Sequence, residues 1–249
     1  MDANRREFGS QFLSALVGYG LIETAWRHDL FAQEVRPTID AWFRELREIT
    51  ESLRGRKLTD VQFQERMEAL YRRVDLPALC RLIKLDDVEK RKLPDNGALS
   101  VGIDLGATGG LPAVPGFGKQ IFGCGRGRSI VPHGHTNMCT GFIILKGRWH
   151  GKHYDRVETA ADHYVIRPTI DREFGPGELS TISDHKDNVH WFKAVSPEAY
   201  IFNVHVIGYD PGIRDAGGRL YLDPDGERVA GGLVKAKKLS SADCHRKYG

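Results

Sequence analysis

From residue 119 onward the chain is cut into short runs separated by turn-forming residues. They are KQIFG, RSIVP, CTGFIILKG, RWHGKHYDRV, DHYVIRPTI, ELSTIS, NVHWFKAV and YIFNVHVIGY, then RLYL and RVAGGLVK around a turn at DPDG. None of these has the length or the 3.6-residue period of an amphipathic helix, and many short strands at close spacing restrict the fold to an antiparallel barrel or sandwich. CTGFIILKG reads as a buried strand.

The region before it reads as helices. In KLTDVQFQERMEALYRRV, Thr59 and Gln62 have capping-box spacing, and Val61, Met67, Leu70 and Val74 recur at roughly helical intervals. IDAWFRELREITESLRG sets Trp42 or Phe43, Leu46, Ile49 and Leu53 on one stripe ahead of Gly55, and Asp75 is placed to cap a shorter helix through LPALCRLI. Such stripes predict helix-to-helix or helix-to-barrel packing. The expected organisation is a helical segment over residues 1–92, a Gly/Pro-rich connecting loop region over 93–118, and a barrel with a basic tail over 119–249.

Charge narrows the function classes. The 249 residues carry 36 Lys plus Arg against 33 Asp plus Glu, a formal charge of +3, so no nucleic-acid or membrane surface is expected. No apolar stretch approaches the roughly 20 residues of a membrane span, and MDANRREFGSQF lacks the apolar core of a secretory signal, so the expected location is cytoplasmic. Cys80, Cys124, Cys139 and Cys244 form no CxxC pair and read as reduced thiols. VGIDLGATGG, residues 101–110, is similar to the phosphate loop of sugar kinases of the actin-like ATPase family, but short strands follow it instead of the alternating helices such a fold requires.

The chemistry concentrates in IVPHGHTNMCTGFIILKG, where His133 and His135 stand two apart. Residues i and i+2 of a strand point to the same side, so both imidazoles can reach one point, with His190 in NVHWFKAV as a third from another strand. Imidazoles suit Fe, Zn, Cu and Ni alike. His150 and His153 are three apart on one strand, so at most one of them can approach such a site, and Cys139 reads as a small buried residue.

The frame around the pair is more specific. Gly127, five residues, His133, one residue, His135, four residues, Thr140, six residues and Gly147 resemble the first motif of the cupin superfamily, G(X)5HxH(X)3-4E(X)6G, with Thr140 in place of the usual glutamate ligand. In the second motif only His190 is kept, with Asp187 and Ala194 where glycine and asparagine are expected. A three-histidine set of this kind resembles the thiol dioxygenases, which include cysteine dioxygenase, cysteamine dioxygenase and the plant cysteine oxidases. KHYDRV is similar to that family's K-S-Y-D-W-V, and NVHWFKA to its N-I-H-R-F-T-A, over roughly residues 119–225.

The resemblance implies a mainly β double-stranded β-helix, a small antiparallel barrel, preceded by the helical segment. It also implies Fe(II) held by His133, His135 and His190, O2 as co-substrate, and a small anionic chelating substrate, a thiol ahead of other classes, oxidised to a sulfinate. Thr140, Asn188 and Asn203 become candidates for the surroundings of the ligands. His205, Tyr209 and Tyr221 become candidates for acid, base or oxygen-orienting roles. Arg219 stands where the cysteamine branch has a cysteine, and no arginine is assignable to a substrate carboxylate. Oxidation of a diketone or aromatic diol, a non-catalytic ligand-binding or regulatory role, and homodimerisation through the helical stripes stay open.

Overall fold

The computed structural model describes residues 37–106 and 116–249. The helical reading of residues 1–36, and most of the glycine-rich run after VGIDLG, lie outside them. The described chain opens with α1 (Ile39–Arg54), where Thr38 accepts the Ala41 N–H, and α2 (Asp60–Arg72), where Thr59 and Gln62 form a reciprocal capping box. On α1 the stripe is buried as expected; on α2 it is headed by Phe63, with Val61 only half-buried. Two short helices follow, α3 (Leu76–Leu82), capped by Asp75, and α4 (Leu85–Glu89).

Eleven strands then form two antiparallel sheets. They are β1 (Leu99–Gly102), β2 (Gly118–Gly125), β3 (Ser129–Gly134), β4 (Met138–Lys146), β5 (Trp149–Thr159), β6 (His163–Phe174), β7 (Leu179–Ile182), β8 (Val189–Ala194), β9 (Glu198–Ile207), β10 (Leu220–Val229) and β11 (Leu233–Lys238). One sheet has the order β1-β2-β9-β4-β7, and the other closes as β10-β11-β6-β5-β8-β3. The chain is therefore mainly β with a closed antiparallel barrel and helices before it.

Side-chain alternation explains why β4 and β9 read as continuously apolar. Cys139, Ile143, Leu145, Tyr200, Phe202, Val204 and Val206 pack on the outer side with Trp42, Phe43, Met67 and Leu70 of the helices. Phe142, Ile144, Ala199 and Ile201 pack inside with Trp149, Phe174 and Phe192. Both faces of the five-stranded sheet are thus covered.

Two expectations are corrected. Residues 93–118, read as a connecting loop region, contain β1, which pairs with β2 from Leu99 opposite Gly123 to Gly102 opposite Gln120. The sequence LSVG is short and flanked by turn residues, so its strand character depends on an edge it can pair with. DPDG is no hairpin turn: β10 runs through it with a register shift between Asp223 and Glu227, and the reversal lies at Ala230–Gly232, where Gly231 and Gly232 have φ of 75° and 72°. A Cβ on Gly226 would meet the Lys235 carbonyl oxygen at 1.9 Å, so this glycine serves the close approach of two strands. The basic tail is also ordered, as α5 (Ser241–Tyr248), with the Ser129 hydroxyl donating to the Tyr248 carbonyl.

Candidate metal centre

β3 and β8 are neighbours, with His133 directly opposite His190. A bulge between Ile130 and His133 carries Pro132, which has no N–H to lose from the ladder, and turns both Ile130 and His133 inward. His135 follows the end of β3, and the residue between the two histidines has to be glycine. A Cβ on Gly134 would lie 2.5 Å from Asn188 Oδ1, the atom that accepts the His135 N–H at 3.4 Å. Asn188 also donates through Nδ2 to the carbonyls of His135 and Ser183, both at 3.0 Å, so one buried amide clamps the His135 backbone to the strand carrying His190.

The ligand nitrogens of His133, His135 and His190 lie within 4.8 Å of one another, and the three residues are 2%, 4% and 1% exposed. Each ring has its Nδ1 on a backbone carbonyl: His133 on Val131 at 2.7 Å, His135 on Gly218 at 3.2 Å and His190 on Asn188 at 3.2 Å. Carbonyls only accept, so each Nδ1 carries the proton and each Nε2 keeps its lone pair. Burial holds all three rings neutral, pushing the pKa of His133 and His135 well below the ordinary histidine value and that of His190 down to about 3. Three neutral nitrogen donors at one point could hold a divalent transition metal.

Opposite the histidines stands the inner face of the five-stranded sheet. Gln120, Asn203 and Phe142 lie side by side across β2, β9 and β4, and Gly118, His205 and Thr140 form the next inward rung. All of these but Gly118, together with Met138, Ile207 and Arg219, line a cavity of about 180 Å³ in front of the three rings. His205 donates from Nδ1 to Asn203 Oδ1 at 2.8 Å, leaving its Nε2 lone pair free, and burial lowers its pKa. That ring lies over Gly118, where a Cβ would stand 2.0 Å from Nε2. Thr140, fully buried on the cavity wall, has a hydroxyl with no hydrogen-bond partner. A buried hydroxyl left unpaired costs about 1–3 kcal/mol, so the position calls for a partner from the cavity.

The remaining candidates divide. Thr140, Asn203 and His205 line the cavity, and Asn188 lies behind it on the His135 backbone. Tyr209 does not line the cavity: it packs on the helix side and donates its hydroxyl to Asp184 at 3.1 Å. Tyr221 also lies outside the lining. It sits opposite His133 in register with ring centroids 6.2 Å apart, but packs with Val131, Cys244 and Tyr248 and against His245. Of the two histidines of β5, His153 turns inward, opposite His190 and between Phe174 and Phe192, while His150 is half-buried beside Asp171. Cys139 is on the helix side, where burial pushes its thiol pKa far up.

Sequence reasoning missed Gln120, Asn137 and the placement of Arg219. Asn137, fully buried with φ of 54°, donates to the carbonyls of Asp210 and Ile213 and accepts the Asp210 N–H, so it holds the loop between β9 and β10. The signal was an asparagine two residues past the histidine pair, a residue type that tolerates left-handed backbone.

No known family profile matches this chain, and no curated protein matches it. Among solved structures it is similar to a recombinant oxalate oxidase in complex with glycolate, at 17% identity and a TM-score of 0.36, over 51% of this chain and 56% of that one. It is similar to KdgF from Halomonas sp. at 13% identity and a TM-score of 0.33, over 47% and 86%. A cupin superfamily protein from Desulfitobacterium hafniense aligns at 11% identity and a TM-score of 0.32, over 47% and 83%. The chain thus spans little more than half the length of the oxalate oxidase. Among the described residues no helix is long and apolar enough to cross a membrane.

Proposed function

We propose that this chain is a non-haem Fe(II)-dependent dioxygenase that uses O2 to oxidise a small thiol to a sulfinate. The observation that carries the reading is the set of three neutral imidazoles, His133, His135 and His190, with a threonine at the one nearby position where a fourth, anionic ligand is expected. The residues fit a metal: each Nδ1 is tied to a carbonyl, each Nε2 is free, and the Thr140 hydroxyl beside them is unpartnered. Bound Fe(II) would supply a Lewis acid of undiminished +2 charge and the electrons for O2 chemistry. The balance is one thiol and one O2 giving one sulfinate and one proton.

The chain's own residues supply the rest. Phe122, Phe142, Ile130 and Met138 line the cavity beside the histidines and keep bulk water from the sulfur. His205, with Nδ1–H fixed on Asn203, presents Nε2 as acceptor for the thiol proton, and burial keeps that nitrogen unprotonated beforehand. Asn188 holds His135 in register with His190. The preference for sulfur over a carbon acid comes from the likeness of KHYDRV and NVHWFKA to the thiol dioxygenases.

The test is oxygen uptake by iron-loaded protein across thiols, diketones and aromatic diols, with products identified by mass. A thiol gaining two oxygen atoms is the expected result. Uptake with a diol or diketone alone would shift the reading to carbon oxidation. Bound iron with no uptake on any of them would leave a binding protein.

A further inference from the structure

Two interruptions of the strand ladder border one gap on the side of β5 turned away from the histidines. β5 and β6 shift register after His153, where Ile170 is opposite His153, Pro168 is opposite Tyr154, and the ladder skips Thr169. β10 and β11 shift between Asp223 and Glu227, the stretch that contains Pro224. β11 pairs with β6 only from His163 to Ile166, so beyond Ile166 the ladder leaves β6. Neither proline has an N–H to leave unmet there. The strands part around a cavity of about 430 Å³, more than twice the volume of the one at the histidines.

Its base is apolar and its rim is charged. Tyr154, Pro224 and Val234 are buried at the base, and Pro168 and Ile170 flank it. At the rim, Asp171 pairs with His150 and with Lys152, whose Nζ is 3.3 Å away, and Asp225 accepts the Tyr248 hydroxyl at 3.0 Å. Two groups are left over. Among the described residues neither the Arg228 guanidinium nor the Tyr154 hydroxyl has a hydrogen bond or ion pair, and Glu227, next to Arg228, pairs instead with Lys235 at 3.8 Å. Burial first, then the charges of Asp225 and Asp171, push the Tyr154 pKa up to about 12, so its hydroxyl keeps the proton and can donate. Both leftover groups are donors, one of them cationic, and what they lack is an anionic acceptor.

From this geometry we infer that the cavity is a second binding site, separate from the histidines, and that it takes a small monocarboxylate with an apolar body. The carboxylate sits on Arg228 and the Tyr154 hydroxyl, and the hydrocarbon part lies between Pro168 and Pro224. The site does not depend on the metal: Tyr154 follows His153 on β5, so the two rings lie on opposite sides of the strand. Its volume is in the range of small-molecule sites. A dianion such as phosphate would meet Asp171 and Asp225 at the rim with a single spare cation to receive it, and would leave the apolar base uncovered. An ammonium would face Arg228, while the carboxylates that could hold it already have partners.

The test is calorimetric titration of chelator-treated protein, in which no metal can hold a carboxylate, with hexanoate, hexanol, hexylamine and inorganic phosphate. Hexanoate is expected to bind roughly 10- to 100-fold more tightly than the other three, the range of a charge-assisted pair. Arg228→Gln should bring hexanoate down to the level of hexanol, Arg228→Lys should keep part of the preference, and Tyr154→Phe should weaken hexanoate several-fold. Arg219→Gln, which alters the cavity at the histidines, should leave hexanoate binding as it is in the wild type. Absence of hexanoate binding overturns the inference, as does an equal affinity for hexylamine or phosphate. So does hexanoate affinity that survives in Arg228→Gln and is lost in Arg219→Gln, because the ligand would then lie at the histidines.

Discussion

The interior enclosed by the two sheets has two ends built on the same strands. β9 places Ala199 and Ile201 at one end and Asn203 and His205 at the other; β4, running the opposite way, goes from Met138 and Thr140 to Phe142 and Ile144. β8 changes character within two residues, from His190 to Phe192. At the closed end Phe192 packs against Phe142, Phe174 and Trp149 with ring centroids 5.3, 5.7 and 6.4 Å apart. At the open end each polar ring is fixed through Nδ1 on a carbonyl or amide oxygen. Backbone geometry is shared, so the difference teaches that stability and site are separate readings of one alternation: the closed end fills space, while the open end spends its inward positions on aimed lone pairs.

Two substitutions on β8 should separate the ends most sharply. Phe192→Ala should cost about 3–5 kcal/mol in a urea melt, because a fully buried ring leaves a void among three others. His190→Ala opens onto an existing cavity and should cost far less in the metal-free protein, yet abolish tight metal binding by elemental analysis. Full metal occupancy in His190→Ala would break the comparison.

The same contrast shows what was legible beforehand. Strand alternation made the His133 and His135 pair readable, and the run CTGFIILKG read as a buried strand. His190 was offered as a third ligand from another β-like run and Asn188 through a motif likeness, but the register that sets β8 beside β3 is a long-range property that no single run carries. Arg219 was in view as a residue and out of reach as a group: a loop has no period, and only the hydrogen bonds from His135 and Asn137 show where this one is held. Tyr209 and Tyr221 were chosen for their hydroxyls, but packing on the helix side and against α5 takes them out of the lining. DPDG carried turn chemistry that the β10 and β11 pairing overrode.

His153 sits at the boundary between the two ends and should make the closed end pH-sensitive. It is fully buried, and burial first, then the charge of Arg172, brings its pKa down from 6.5 to about 3. Between those values the unfolded chain binds a proton that the folded one refuses. The stability present above pH 6.5 therefore falls as pH drops toward 3, by about 1.4 kcal/mol per unit for one such group. Urea melts of chelator-treated protein at successive pH values should show this slope, and His153→Gln should lower it by one proton. An unaltered slope in the variant would mean that His153 is not the group responsible.

The smallest effect tests whether Thr140 belongs to the open end at all. Its hydroxyl is buried and unpaired, so Thr140→Val should stabilise the ligand-free protein by up to about 1 kcal/mol, relieving an unmet hydrogen bond with nearly the same shape. A residue that only fills space would stop there. Thr140 stands beside His205 in register and lines the cavity, so the hydroxyl is placed to meet a ligand, and the same substitution should weaken thiol binding several-fold while leaving metal content unchanged. A variant that is stabilised and binds as tightly as before would return Thr140 to the packing of the closed end. A gain in stability coupled to a loss of ligand affinity would place the boundary between the two ends on the far side of Thr140, at Phe142.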